Sequence, residues 1–328
     1  MAGKKLVIGA SGFLGSHVTR QLVENGEDVR VMLRKTSSTR GIDDLDVQRC
    51  YGDVFDDDAL RAAMTGVDVV FYCVVDARIW LRDPAPLFAT NVEGLRHVLD
   101  IAVQSGLRKF VFTSTIATLA INDHRPVTED DPPNWDDGGA YVQARVAAEN
   151  LVMEYARDKG LPAVAMCIST TFGPGDWGPT PHGGTLARVA AGTLPVYPDF
   201  SLEVVGIEDA ARAMLLAAER GRNGERYIIS DETLSAREIL HVAAEALGKR
   251  PPRIKAPMKL LYGVARLNDL AARILKRDLS FAVAGVRIAD VSSGLDHSKA
   301  ERELGWQPEP VRDSIRRAAR FFAEHDVR

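Results

Sequence analysis

The chain is predicted to be an α/β protein, a doubly wound parallel sheet with a smaller, mostly C-terminal lobe. Three observations lead there. Short apolar runs alternate with helical patterns from Lys4 to Ile168, the pace of βαβ units with right-handed crossovers. The fourth run, Val67 to Val75, is apolar almost throughout, which suits a strand buried on both faces. Between the first run and the first helical pattern stands Gly9-Ala10-Ser11-Gly12-Phe13-Leu14-Gly15, a glycine-rich turn that opens a helix.

That turn follows the strand Lys4-Lys5-Leu6-Val7-Ile8, and Leu14, Val18 and Leu22 recur after it at helical spacing. Gly9 takes the tight turn, Gly12 lets a phosphate approach backbone N–H groups, and Gly15 lets the helix pack on the strand. The free N–H groups and dipole of the helix start favour an anion. Asn25-Gly26 ends the helix. The second strand, Asp28 to Leu33, runs into Arg34, Lys35, Thr36, Ser37 and Ser38, with no Asp or Glu among them. An acidic residue there would accept hydrogen bonds from the adenosine ribose of NAD, and a basic one accommodates the 2′-phosphate of NADP. Arg34 therefore favours NADP(H) over NAD(H), with a solvated basic loop as the alternative.

Val47 to Tyr51 forms the third strand. Asp53, followed by Val54, either meets the adenine amino group or shapes the turn. Asp57 and Asp58 are expected to cap the next helix, which runs to Gly66. After the fourth strand, whose end carries Cys73, Val74 and Val75, a long helix is expected from Pro84 to Gln104 with Asn91 inside it. Lys109 to Phe112 is the fifth strand and runs into Thr113, Ser114 and Thr115. In such sheets a ligand lies across the carboxyl ends of the strands, where all these residues fall.

The next helix opens with Tyr141-Val142-Gln143-Ala144-Arg145. Residues four apart share a helix face. A phenol beside a fixed cation is a better acid or base toward a carbonyl or alcohol, and the Thr115 hydroxyl can hold the same oxygen. These residues resemble the extended short-chain dehydrogenase/reductases, an NAD-dependent epimerase/dehydratase superfamily with a Rossmann-type fold. The shared motifs are the glycine turn, Asn91-Val92-Glu93-Gly94, Phe112 to Thr115, Tyr141-x-x-x-Arg145-x-x-Ala148-Glu149, Phe172-Gly173-Pro174-Gly175-Asp176, and Lys299 to Trp306. The sequence is most similar to the dihydroflavonol 4-reductase-like and 3β-hydroxysteroid dehydrogenase-like branch. The resemblance implies catalytic roles for Thr115 and Tyr141, and a water-supporting role for Asn91. It also implies that Ile168 and Thr171 pass near the nicotinamide.

Two positions depart from the family pattern. Arg145 stands where the family has Lys, and it cannot give up a proton. Tyr155 and Lys159 match the Tyr-x-x-x-Lys spacing but fall too late on the helix, so they are set aside. Cys167-Ile168 replaces an Arg-Pro or Asn-Pro pair. Residues 1–172, with a returning segment at about 203–230, are assigned to NADP binding, and 173–202 and 231–328 to a substrate lobe. Trp80, Leu81, Phe88, Trp177 and Tyr197 either line the substrate pocket or form lobe core. Leu202 and Gly206 stand where sugar-nucleotide relatives carry Arg and His. Pro257 to Leu275 is apolar at helical spacing with Lys259, Arg266, Arg273 and Lys276 between. Such a helix packs on its own domain, touches a membrane or meets a partner.

The leading reading is an NADP-dependent carbonyl reductase or alcohol dehydrogenase acting on a small, lipophilic or polycyclic molecule. A nucleotide-sugar epimerase or dehydratase with bound NAD is the alternative enzyme. Arg145 keeps open a sensor or scaffold that binds NADP without turnover. At 46% hydrophobic, 26% charged and net charge −4, the chain is an ordinary globular protein, and nothing draws it to nucleic acid or an anionic membrane. Cys50, Cys73 and Cys167 form no C-x-x-C pair and the seven histidines show no ligand spacing, so no metal is expected, and buried thiols fit the cytoplasm. No stretch is long enough to span a membrane, and the run after Lys4-Lys5 is too short for a signal peptide. The resemblance leaves a homodimer possible.

Overall fold

The computed structural model describes residues 3–122, 124–135, 138–279, 282–291, 293–325 and 327. Its centre is an all-parallel seven-stranded sheet. The strands are β1 (Lys4–Ile8), β2 (Val29–Leu33), β3 (Gln48–Tyr51), β4 (Val67–Tyr72), β5 (Lys109–Thr115), β6 (Ala163–Ile168) and a late strand, β10 (Arg226–Ile229). Their order is β10-β6-β5-β4-β1-β2-β3. The winding therefore reverses between β1 and β4, and the carboxyl ends of those two strands flank a crevice. The register places Ile8 beside Tyr72 and Thr115 beside Ile168.

Both faces of the sheet are covered. α1 (Phe13–Glu24) and α7 (Ile207–Arg220) lie on one face. Val18, Leu22, Ala210 and Met214 meet Val7, Val31 and Val111 there. Trp306 is fully buried in the same layer, and its indole N–H donates to the Asp209 carbonyl at 3.0 Å. α2 (Asp57–Met64), α4 (Gly94–Gln104) and α5 (Gly139–Asp158) cover the other face, with Leu60, Leu95, Leu99 and Leu151 on Ile8, Phe110 and Phe112. Burial on both faces explains the near-continuous apolar strands.

A second layer follows β6. β7 (Thr170–Phe172), β9 (Ser201–Gly206) and β11 (Glu232–Ser235) form a three-stranded sheet. α6 (Pro181–Ala190), α8 (Ala236–Ala246) and α11 (Val311–Glu324) pack on it around Phe172, Leu186, Leu240 and Ile315. β8 (Val196–Pro198) pairs with β12 (Ile254–Ala256), which leads into α9 (Met258–Leu275) and then α10 (Val283–Asp290).

Several local expectations change. α2 is capped by Asp56, whose carboxylate accepts from Ala59 N–H at 3.0 Å, and Asp57 and Asp58 occupy its first turn instead. β4 ends at Tyr72, so Cys73 to Val75 lie beyond the strand. The helix expected from Pro84 to Gln104 is split into α3 (Ala85–Phe88), a π-helical turn at Ala89–Glu93 and α4. Such bulges recur at functional sites, and this one holds Asn91.

Candidate active site

At the start of the crevice, Gly9 adopts φ +91°, and a Cβ there would stand 2.9 Å from the Cys73 carbonyl carbon. A Cβ on Gly15 would meet the Gly9 carbonyl oxygen at 2.2 Å. Both glycines are demanded by the fold. Gly12 is different: its φ of −81° suits any residue, and a Cβ would touch the protein no closer than 3.4 Å. It is the N-cap of α1, no side chain caps it, and no acidic residue lies in the first turn. The helix start therefore keeps its N–H donors for an external acceptor. A dinucleotide diphosphate fits this cradle, which a side chain at residue 12 would fill. Phe13 and Leu14 in the same turn face inward, Phe13 edge-on to His17 at 5.6 Å and Leu14 against the core.

From this turn a cavity of about 570 Å³ runs along the strand ends. Gly9, Ser11, Gly12, Arg34, Asp53, Val54, Cys73, Val74 and Val75 all line it. Arg34 and Ser37 form its rim beyond β2, with the Arg34 side chain exposed. Asp53 shapes the turn, since Oδ1 accepts from Phe55 N–H at 3.2 Å. Burial pushes the Cys73 thiol up to about 12, so it stays protonated.

Sequence reasoning missed the loop that closes the other side. Asp76, Ala77 and Arg78 line the cavity, as do Phe55 and Thr90. Asn91 builds this wall. Its Oδ1 accepts from Asp76 N–H at 3.0 Å, and its Nδ2 donates to the Asp76 carbonyl at 2.9 Å. Asp76 in turn receives Arg78 Nε at 2.9 Å and Nη2 at 2.6 Å. Asn91 is thus a clamp on the loop. Its motif was visible in the sequence, but its partner lies fifteen residues upstream with no pattern to announce it.

The far end assembles around α5. Thr115 ends β5, and its Oγ1 accepts from Ala117 N–H at 3.3 Å. Tyr141 stands half-buried in the first turn of α5. Among the described residues no hydrogen bond joins Tyr141 to Thr115 or Arg145. Arg145, 1% exposed, donates from Nη2 to the Thr113 carbonyl. Its guanidinium carbon lies 5.2 Å from the Phe112 ring centroid, a cation–π contact. Arg145 Nε and Nη1 have no partner, nor do the buried hydroxyls of Thr113 and Tyr72. Burial raises the Tyr72 phenol, and the Arg145 charge opposes that rise. Orphaned buried donors are rare in finished cores and ask for a ligand.

Glu149, one turn beyond Arg145, supports this end from behind. It accepts from Ser114, from Thr118 at 3.0 Å and from Arg226 Nη1 at 2.9 Å. The Cys167 thiol also donates to it, at 3.4 Å. Tyr155 and Lys159 are elsewhere, both bonded to Asp100. Ile168, expected beside the nicotinamide, ends β6 and is 6% exposed, within the core cluster that α1 and α7 share. Thr171 sits in β7 of the second sheet, paired with Val205. Of the five aromatic and apolar candidates for the substrate pocket, Trp177 and Tyr197 pack on the lobe core.

Sheet order, crevice and glycine turn define a Rossmann-type protein of the extended short-chain dehydrogenase/reductase class. The chain belongs to the NAD dependent epimerase/dehydratase family, whose model matches residues 5–230. It is 30% identical over 331 residues to Sterol demethylase protein B of Methylococcus capsulatus, covering 98% of this chain and 99% of that one. It is 31% identical to Cinnamoyl-CoA reductase 1 of rice (Oryza sativa subsp. japonica), covering 84% and 88%. The crystal structure of gox2253 superposes with a TM-score of 0.86 at 33% identity, over 98% of each chain. The protein is accordingly an enzyme of oxidoreductase/epimerase type, in a family that uses a nicotinamide dinucleotide.

Proposed function

We propose that the protein is an NADP-dependent oxidoreductase that interconverts a carbonyl and an alcohol on a lipophilic or polycyclic substrate. The observation that carries this reading is the buried Arg145 guanidinium, which donates to the Thr113 carbonyl and keeps two further N–H groups unpartnered. In this reading those donors and Tyr141 take the nicotinamide ribose, and the α1 start takes the diphosphate. Arg34 and Ser37 take the 2′-phosphate, while Asp53 and Val54 border the adenine. When bound, the nicotinamide supplies or accepts the hydride. Thr115 holds the substrate oxygen, and Tyr141 gives that oxygen its proton in reduction or removes it in oxidation. Arg145 contributes fixed charge and donors without itself moving a proton.

The substrate class is supported by the sterol and cinnamoyl names of two relatives. The lobe supports it as well. Leu202, where sugar-nucleotide relatives carry Arg, packs partly buried against the core of the second layer, the cluster of Phe172, Leu186, Leu240 and Ile315. A Cβ on Gly206 would lie 2.6 Å from Ser314 Oγ and 2.8 Å from Asp209 Oδ2, so no His fits there. The deciding experiment is a titration of NADPH against NADH by nicotinamide fluorescence. NADPH is expected to bind tighter by about tenfold or more, with the preference lost in Arg34→Ala. A preference for NADH would overturn the cofactor assignment.

A further inference from the structure

α9 has two unlike faces. Ala265 and Ala272 are buried, and α10 covers that side. Val283 N–H donates to Asp269 at 3.3 Å and Tyr262 to Asp290 at 3.1 Å. The other side carries Leu260, Val264, Leu267, Leu270, Ile274 and Leu275, each between 47% and 72% exposed. Among the described residues these six make up more than half of the exposed large apolar side chains. Leu260, Val264, Leu267 and Ile274 repeat at helical spacing, so they form one continuous stripe. Contiguous exposed apolar surface of this kind marks an interaction site.

Charge identifies the occupant. Although the whole chain is acidic at −4, seven exposed cations, Arg250, Arg253, Lys259, Arg266, Arg273, Lys276 and Arg277, stand in residues 250–277, while Lys255 of the same segment pairs with Asp199 at 2.8 Å. An aliphatic stripe flanked by cations is the pattern of a helix lying in a lipid–water interface. Pairing with a second copy through the same face would bring the basic flanks together, which opposes it. The stripe also lacks the Tyr and Trp anchors common in protein interfaces.

We infer that α9 docks the protein on the surface of an anionic lipid bilayer, with its leucine stripe among the acyl chains and its cations on the headgroups. Among the described residues no helix is long and apolar enough to cross the membrane, so this is attachment from one side. The unit lies beside the candidate site. A Cβ on Gly285 of α10 would stand 2.9 Å from Ile79 in the loop after β4, and Arg82 N–H donates to Asp278 at 3.0 Å. A Cβ on Gly139, two residues before Tyr141, would lie 3.9 Å from Ala284. α10 stands between the stripe and the crevice, so docking requires nothing of the cofactor groove.

Flotation of the purified full chain with phosphatidylcholine vesicles, with and without phosphatidylglycerol, tests this. Binding is expected only with phosphatidylglycerol, and it weakens as salt rises from about 0.1 M to about 1 M. Leu267→Asp with Ile274→Asp should lower partitioning about a hundredfold. Arg266→Gln with Arg273→Gln should lower it about tenfold. All four side chains are exposed, so an unchanged circular dichroism spectrum is expected for both variants. Absence of vesicle binding by the unsubstituted protein overturns the inference. So does a dimer, seen by light scattering, that the Leu267 and Ile274 substitutions convert to monomer.

Discussion

The two ends of the crevice are built by different means. At the Gly9–Gly15 end the working groups are main-chain N–H groups of one turn, contributed by seven consecutive residues. At the Tyr141 end they are side chains from β5 and α5, braced by a glutamate that β6 and β10 also contact. A backbone site tolerates little change in φ and close packing but does not depend on a particular side-chain chemistry. A side-chain site can exchange Lys for Arg and keep its fold while altering what the site can do. The comparison teaches that the first end reports the fold, and the second decides the reaction.

The sharpest way to break the comparison is Tyr141→Phe. If the far end is where chemistry happens, kcat should fall about 10²–10⁴-fold, and NADPH affinity by no more than the about tenfold that one lost ribose hydrogen bond accounts for. Unchanged turnover on a good ketone or alcohol would sink the assignment. Next comes a pair at the near end. Gly15→Ala forces a Cβ to 2.2 Å from the Gly9 carbonyl oxygen and should cost about 3 kcal/mol of stability. Gly12→Ala meets nothing closer than 3.4 Å, so its denaturant midpoint should hold while NADPH affinity drops about tenfold. Equal stability losses would mean that residue 12 is a glycine for the fold's sake.

A further effect, on stability alone, lies where α1 meets the loop after β7. His17 of α1, kept neutral by burial, is 2.9 Å from the Pro174 carbonyl. Two residues on, Asp176 is 2% exposed, with Oδ1 unpartnered and Oδ2 accepting from Thr180 N–H at 2.8 Å and Oγ1 at 2.9 Å. Burial raises its pKa from 3.8 to about 6, against those hydrogen bonds. The folded state therefore keeps a proton that the unfolded chain releases. Stability from this group is present below pH 3.8 and lost as pH rises to about 6. The loss amounts to about 2–3 kcal/mol. Asp176→Asn should flatten that slope in urea melts taken across the window. A slope that persists would place its origin in another group.

The glycine turn, the acid-free end of β2 and the alternation of strands with helices were legible because each rests on neighbours in the chain. Period, φ preference and N-cap chemistry are set within a few residues. Asn91, Thr115, Tyr141 and Arg145 were legible only as a motif, and three further facts were not. Arg145 reaches the Thr113 carbonyl and the Phe112 ring, Asn91 clamps Asp76, and Ile168 turns into the core. The net charge also concealed a basic segment next to an uncovered leucine stripe. Amphipathic spacing in α9 foretold two faces without saying which one the protein would cover. By itself the sequence determined the order of elements, the place of the crevice and the identity of the candidate groups. Tertiary structure alone decided which buried donors lack partners and which apolar face is left to solvent, because satisfaction and burial are set by residues far apart in the chain.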